Sequence, residues 1–229
     1  GDKDGVINAD APWSIHYTRL ENGIWTIPNS ILALPSGSST CRYPSVDVDS
    51  QGMLHFVWSV AGQLYYSRAH VSQAESARSW STPLQIATAN EAAVKISPNG
   101  IIHVAFAVNS EPNAWHISSP DGGERWSRPV LIGSIDRFEG VSHIRLAISD
   151  DGTLHVAWSL CEMPSGFPCT RLLYSRSVDG GQNWQLPETV TSVETDTYTG
   201  KGPPWSLNVA TDGAERVFLT WDGAPNHQR

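Results

Sequence analysis

The 229-residue chain lacks a cationic surplus: 15 Lys and Arg stand against 23 Asp and Glu, a formal net charge of −8. Without a basic face nothing neutralises a phosphate backbone, so nucleic acid is excluded as an expected partner, and charge-driven adsorption to an anionic membrane is disfavoured. Long apolar runs are also absent. None approaches the ~20 residues that span a bilayer, so no membrane insertion is expected and the chain reads as soluble. No window sustains Ala, Leu, Glu and Lys at a helical period, which removes helical fold classes. Cysteine is scarce, with three residues that lack the paired spacing of a zinc site. No metal and no cofactor is therefore expected. What the chain does hold is ten Trp, nineteen Gly and fifteen Pro, with runs of Val, Ile, Tyr and Trp alternating with polar residues. That is the composition of many short strands broken by frequent turns.

One signature repeats four times: Trp25-Thr26-Ile27-Pro28, Trp80-Ser81-Thr82-Pro83, Trp126-Ser127-Arg128-Pro129 and Trp184-Gln185-Leu186-Pro187. An apolar stretch follows each copy and reads as an outer strand, where a proline's missing N–H costs no partner. A shorter strand precedes each Trp, and three of these carry Tyr-Ser/Thr-Arg, as in Tyr17-Thr18-Arg19, Tyr66-Ser67-Arg68 and Tyr174-Ser175-Arg176. Two of the intervening turns share one pattern, Ser119-Pro120-Asp121-Gly122-Gly123 through Trp126 and Ser177-Val178-Asp179-Gly180-Gly181 through Trp184. There the Asp carboxylate can accept backbone N–H bonds of its own turn, glycine supplies positive φ, and the Trp packs down as a plug. The other two turns are degenerate, shortened at Leu20–Trp25 and lengthened at Ala69–Trp80.

A second half-unit repeats as hairpins joined by Gly-containing turns, with His55, His103 and His155 at one position in three copies. A residue repeated in register belongs to the scaffold, so these histidines read as structural. Each unit is thus four strands of roughly 50 residues, the period of a propeller blade. The expected fold class is an all-β β-propeller of four-stranded antiparallel blades, about four blade-equivalents in all. Residues 1–11 read as a polar leader, with no initiator Met and hence a processed or artificial end. The propeller is expected over 12–229, as a strand pair 12–33, blades 43–88, 92–133 and 142–191, and a strand pair 204–223. The first and last pairs are complementary halves that could share one closing blade and hide two sheet edges. Two rivals stand: a fragment of a longer propeller, and a homo-oligomer that completes a larger ring.

At these residues the sequence resembles the Asp-box, or BNR-repeat, sialidase-like superfamily, whose box is Ser-x-Asp-x-Gly-x-Thr-Trp. Ser119, Asp121, Gly123 and Trp126 match one box, and Ser177, Asp179, Gly181 and Trp184 the other; Arg125 and Asn183 replace the usual Thr. The resemblance covers nearly the whole chain, from Trp13 to Trp221. It implies the fold; hydrolases, receptors and assembly factors all use it, so activity must be argued from the site. Sialidases of the family also carry Arg-Ile-Pro where the first inner strand begins, with the Arg gripping a substrate carboxylate. Here Arg42-Tyr43-Pro44 stands at that place, and a guanidinium fork suits that task. A working sialidase would need two further arginines, an acid carboxylate and a Tyr/Glu nucleophile pair. The segment Ser59–Gln63 supplies no Asp, and such enzymes resemble six-bladed rings.

By strand order the box turns lie on one face, and the outer-to-inner connections lie on the other, where ligands are expected. Its longer segments offer weak catalytic candidates, Asp136, Glu139, Glu194, Asp196 and Tyr198 beside Arg42. Arg42, Arg137, Tyr198 and Trp205 are the candidate ligand-binding residues. Cys161 and Cys169 flank a loop-like segment, as a disulfide of an oxidising compartment or as two free thiols. The leading expectation is an extracytoplasmic (extracellular, periplasmic or cell-surface) module that binds a carbohydrate or protein partner without catalysis. A sialidase-like glycoside hydrolase and an architectural fragment are the alternatives.

Overall fold

The computed structural model describes residues 14–33, 41–108, 111–134, 139–162, 169–192, 206–214 and 216–221. These residues contain no α-helix, only a single 3-10 turn at Ala77–Ser79, and no helix is long and apolar enough to cross a membrane.

Three four-stranded antiparallel sheets follow one another. The first is β5 (Cys41–Val48), β6 (Met53–Val60), β7 (Gln63–His70) and β8 (Leu84–Thr88). The second is β9 (Glu91–Ile96), β10 (Ile102–Ala107), β11 (Asn113–Ser119) and β12 (Val130–Ser134). The third is β13 (Glu139–Ile148), β14 (Leu154–Glu162), β15 (Cys169–Ser177) and β16 (Glu188–Ser192). Within each sheet spatial order equals chain order, as alternating strands joined by tight turns dictate. Ahead of them β1 (Ser14–Tyr17) pairs with β4 (Asn29–Ala33), and between these a ribbon of β2 (Leu20–Glu21) and β3 (Ile24–Trp25) turns at Asn22-Gly23. Both turn residues have positive φ, 53° and 78°, the Asn-Gly solution to a two-residue hairpin. The shortened box of the sequence is thus a small β-ribbon. After the sheets come β17 (Asn208–Thr211) and β18 (Val217–Thr220), again a two-stranded pair.

The inner strands β5, β9, β13 and β17 neighbour one another in turn, and the core lies between sheets. One cluster joins Val57, Leu64 and Tyr66 to Val94, Val104 and Ile117; the next joins Ala105 and Ala114 to Ile144, Leu146, Trp158 and Leu173. At about 25 cal/mol per Å² of buried apolar surface, these interfaces are where the sheets gain stability.

The repeated residues make repeated joints. In each sheet a histidine of the second strand bridges two neighbours. His55 Nδ1 lies 2.7 Å from Tyr66 Oη, His155 Nδ1 2.7 Å from Tyr174 Oη, and His103 Nδ1 3.1 Å from His116 Nε2. The other ring nitrogen reaches the preceding turn, at Ser97 Oγ (3.2 Å) for His103 and Ser149 Oγ (2.8 Å) for His155. The third-strand partner then supports the Trp of the next sheet edge-on: Tyr17 under Trp80, Tyr66 under Trp126, His116 under Trp184. Glycine is required at this joint. A Cβ on Gly123 would lie inside the Tyr66 ring, and one on Gly181 inside the His116 ring, while both have φ near +90°.

In the two complete boxes, Asp121 Oδ1 accepts from Arg125 N (2.9 Å), and Asp179 Oδ1 accepts from Asn183 N (2.9 Å). Ser119 and Ser177 hydroxyls donate to the same carboxylates. Backbone and side-chain donors at residues 125 and 183 hold both carboxyls down at about 2. Trp126 Nε1 and Trp184 Nε1 donate to Gly123 O and Gly181 O at 3.2 Å. The lengthened turn without an Asp reaches the same end, with Trp80 Nε1 donating to Ala74 O at 2.9 Å. The Trp anchor, not the carboxylate, is therefore what these three turns share, while Trp25 of the shortened turn stays 65% exposed.

The prolines of Trp-x-x-Pro stand immediately before β8, β12 and β16, so the outer strands follow them as the sequence indicates, because a residue without N–H marks where pairing can begin. Among the described residues the first and last strand pairs are two-stranded sheets, β1–β4 and β17–β18. Each follows its own neighbour: Ile15 and Ile31 pack on Phe56 and Trp58, whereas Leu207 packs on Ala157 and Leu172 and Asp150 N donates to Gly213 O at 2.9 Å.

Candidate functional site

The inner strands begin on the face opposite the box turns, and the site is built at their first residues. Arg42, Glu91 and Ser142 hold one register in three successive sheets. They pair with Ser59, Ala107 and Ser159, each four residues after the repeated histidine of its second strand. Around them the scaffold repeats, yet the residue changes from guanidinium to carboxylate to hydroxyl. β5 and β13 each bulge here, between Arg42 and Ser45 and between Ser142 and Arg145. The extra residues, Tyr43 and His143, have φ of 52° and 53°. Left-handed backbone at a bulky residue is costly and persists only where surroundings impose it, and a bulge re-aims a side chain out of the pleat.

Glu91 ties the site together. It is 4% exposed; Oε1 accepts from Ser142 Oγ at 2.9 Å and Oε2 from the His143 backbone N at 2.7 Å. Tyr43 and Arg42 stand close enough for their charges and dipoles to act on one another and on Glu91. Burial raises the Tyr43 phenol above its usual range, Glu91 adds to the rise, and Arg42 opposes it. Glu91 therefore links the second sheet to the third through Ser142 and His143, with the Tyr43 phenol and the Arg42 guanidinium of the first sheet within its electrostatic reach. Ser59 Oγ fixes the floor, 2.7 Å from Asn90 O and 3.2 Å from Arg42 O. Beside it the β6–β7 connection is a two-residue turn, Ala61-Gly62, with φ of 51° and 77°. It leaves no loop for an acid carboxylate.

At the same face Cys161 and Cys169, directly opposed on β14 and β15, form a disulfide. His143 lies beside it, its ring nitrogen and the two sulfurs all within 4.8 Å of one another. Cys41, at the start of β5, is a free thiol whose burial pushes it up to about 11.

Of the residues expected from sequence, Arg42 stands at the site and the eight box residues stand on the opposite face. Glu139 begins β13, its backbone opposite Glu162 of β14. Asp136, Arg137, Glu194, Asp196, Tyr198 and Trp205 lie outside the described residues. Sequence reasoning missed Tyr43, Glu91, Ser142 and His143. The signal was available for two of them: aligning the starts of the inner strands shows Arg, Glu and Ser at one repeat position.

No protein-family model matches this sequence, and no curated protein matches it. Solved structures do. A protein of unknown function from Dyadobacter fermentans superposes with a TM-score of 0.62 at 16% identity, covering 94% of this chain and 66% of the other. An α-L-arabinanase from Penicillium chrysogenum superposes at 0.52 with 17% identity, covering 74% and 55%. An α-L-arabinofuranosidase from Fusarium graminearum does so at 0.56 with 11% identity, covering 88% and 58%. The chain thus spans between half and two thirds of the length of these structures. At such identities the likeness is one of fold: all-β, with four-stranded antiparallel sheets repeated as in β-propeller glycosidases. It gives no support to a sialidase in particular.

Proposed function

We propose that this chain is the carbohydrate-binding face of an extracytoplasmic β-propeller, with the glycan seated where the inner strands begin. The observation that carries the reading is the shared register of Arg42, Glu91 and Ser142: three unlike polar groups at a position where the scaffold repeats. Binding sites on repeat folds arise where loops and strand ends diverge over a rigid frame. In this reading Arg42 offers a fork of donors to sugar hydroxyls or a sugar carboxylate, and Tyr43, half exposed at 41%, offers a ring face and a hydroxyl. Structural neighbours named for acting on carbohydrates support this class of ligand, and the Cys161–Cys169 bond supports an oxidising compartment.

Glycoside hydrolysis is the second reading, favoured by the same neighbours. Hydrolases need two carboxylates about 5–9.5 Å apart flanking the scissile bond. Among the described residues Glu91 is the one buried carboxylate, and both its oxygens already accept hydrogen bonds. That arrangement positions neighbours rather than attacking a sugar. The count of about four blades, closed by a blade shared between the first and last strand pairs, belongs to this proposal; a fragment of a longer propeller and a homo-oligomer completing a larger ring are its rivals.

Calorimetric titration with arabinan, galactan and sialylated oligosaccharides, beside turnover of the matching fluorogenic glycosides, tests both readings. Saturable binding that Arg42→Ala weakens about tenfold or more, a loss of roughly 1.4 kcal/mol, without turnover, supports the binding face. Turnover abolished by Arg42→Ala would establish the hydrolase reading instead, and no binding to any glycan would end both.

A further inference from the structure

The geometry points to a redox-gated metal site: once the Cys161–Cys169 bond is reduced, these two sulfurs and the His143 imidazole form a site for a thiophilic d10 ion such as Zn²⁺. Three observations converge. The donor atoms already lie within 4.8 Å of one another. In a tetrahedral zinc site, bonds of about 2.0–2.3 Å place donors roughly 3.3–3.8 Å apart, so the two sulfurs must separate while the ring nitrogen, no more than 4.8 Å from either, needs at most a small approach. Both cysteines are buried, at 2% and 1% exposure, at the last pair of the β14–β15 ladder, next to the Leu160–Arg171 pair. The third ligand is fixed independently of the cysteines, because His143 sits in the β13 bulge with its backbone N held by Glu91. A ligand anchored by a second element is the arrangement in which metal sites keep their geometry. The site is separate from the glycan reading, which uses Arg42 and Tyr43.

The chemistry balances with a dithiol as reductant. It gives two electrons and two protons and closes its own disulfide; the Cys161–Cys169 bond breaks to two thiols. The ion then displaces both thiol protons to solvent and takes the neutral imidazole as third ligand. Two soft sulfurs and one nitrogen favour Zn²⁺ over Mg²⁺ or Ca²⁺, which demand oxygen. A fourth position is left for water or a neighbouring group.

The test uses the whole chain carrying Cys41→Ser, so that metal uptake reports on the pair. Oxidised and dithiol-reduced protein are dialysed against Zn²⁺ and against Co²⁺, with near-ultraviolet circular dichroism reporting tertiary structure. The expected result is one equivalent bound by the reduced form only, with a thiolate-to-Co²⁺ charge-transfer band. His143→Asn, which tolerates the left-handed backbone, should lower affinity by at least about tenfold, since losing even an outer partner costs about 10- to 100-fold. Absence of stoichiometric uptake, loss of tertiary structure on reduction, or binding by His143→Asn equal to that of its parent would each overturn the proposal.

Discussion

The two ends of each sheet are built on opposite principles. At the box end, residues repeat and so do their contacts: histidine to Tyr or His, that ring to the next Trp, the Trp to its own turn. At the mouth the backbone register repeats while the side chains do not, giving Arg42, Glu91 and Ser142 at equivalent positions. Sameness serves stacking, because every interface must solve the same packing problem. Difference serves recognition, because a ligand is asymmetric and needs unlike groups converging on it. A box-end change should therefore cost stability, and a mouth change should cost binding.

The largest expected effect lies at the box end. Gly181→Ala adds a Cβ that would overlap the His116 ring and imposes a side chain at φ +87°. A loss on the order of 2–4 kcal/mol is expected, combining backbone strain with overpacking, read as a lower urea midpoint. Unchanged stability would show that the joint between sheets is looser than described.

Acid should loosen the same end next. His103 and His116 are held neutral by burial, lowered to about 4 and about 3. Unfolded histidine titrates near 6.5, so between that pH and about 4 the unfolded state binds more protons and stability falls with pH. The contribution is full above about pH 6.5 and is lost on descent; from His103 alone it is on the order of 3 kcal/mol. Equilibrium unfolding from pH 7 to 4 checks this, and His116→Phe, which keeps a ring beneath Trp184, should flatten the profile. A profile unaltered in that variant would assign the acid sensitivity elsewhere.

Glu91→Gln sharpens the contrast, since it touches both properties. The amide can accept with one oxygen only, leaving either Ser142 Oγ or His143 N facing an NH₂ group. About 1–3 kcal/mol of stability should be lost, together with glycan binding, because the β13 bulge at Ser142 and His143 loses its anchor. Smallest of all is the effect of Arg42→Ala on stability: an exposed side chain at the rim should leave the thermal midpoint within about a degree or two while binding is lost. A large drop in midpoint would place Arg42 in the scaffold and remove the distinction between the two ends.

Much of the box end was legible from sequence because its determinants are local. Asp-Gly-Gly, Trp-x-x-Pro and Tyr-Ser/Thr-Arg fix turns and strand ends within about a dozen residues. The structure adds why they recur: Ser67 and Ser175 hydroxyls each donate to the carbonyl just after the turn, at Ser81 O and Gln185 O, both at 2.7 Å. The mouth was less legible. Arg42 stood out through its neighbours Tyr43 and Pro44, but Glu91 is one acid among 23 Asp and Glu until its register beside Ala107 is known. Residues 135–138 and 193–205, where Asp136, Arg137, Glu194, Asp196, Tyr198 and Trp205 lie, fall outside the described structure.

The sequence by itself determined the strand count of a unit, its turn chemistry and its aromatic anchors, because alternation, glycine and proline act over a few residues of backbone. Only the tertiary structure decided which side chains meet across sheets. Glu91 reaches Ser142 over 51 positions, and the Cys161–Cys169 pair lies beside His143, through stacking that no local pattern encodes. The packing of the first strand pair on Phe56 and Trp58, and of Leu207 on Ala157 and Leu172, was decided there too.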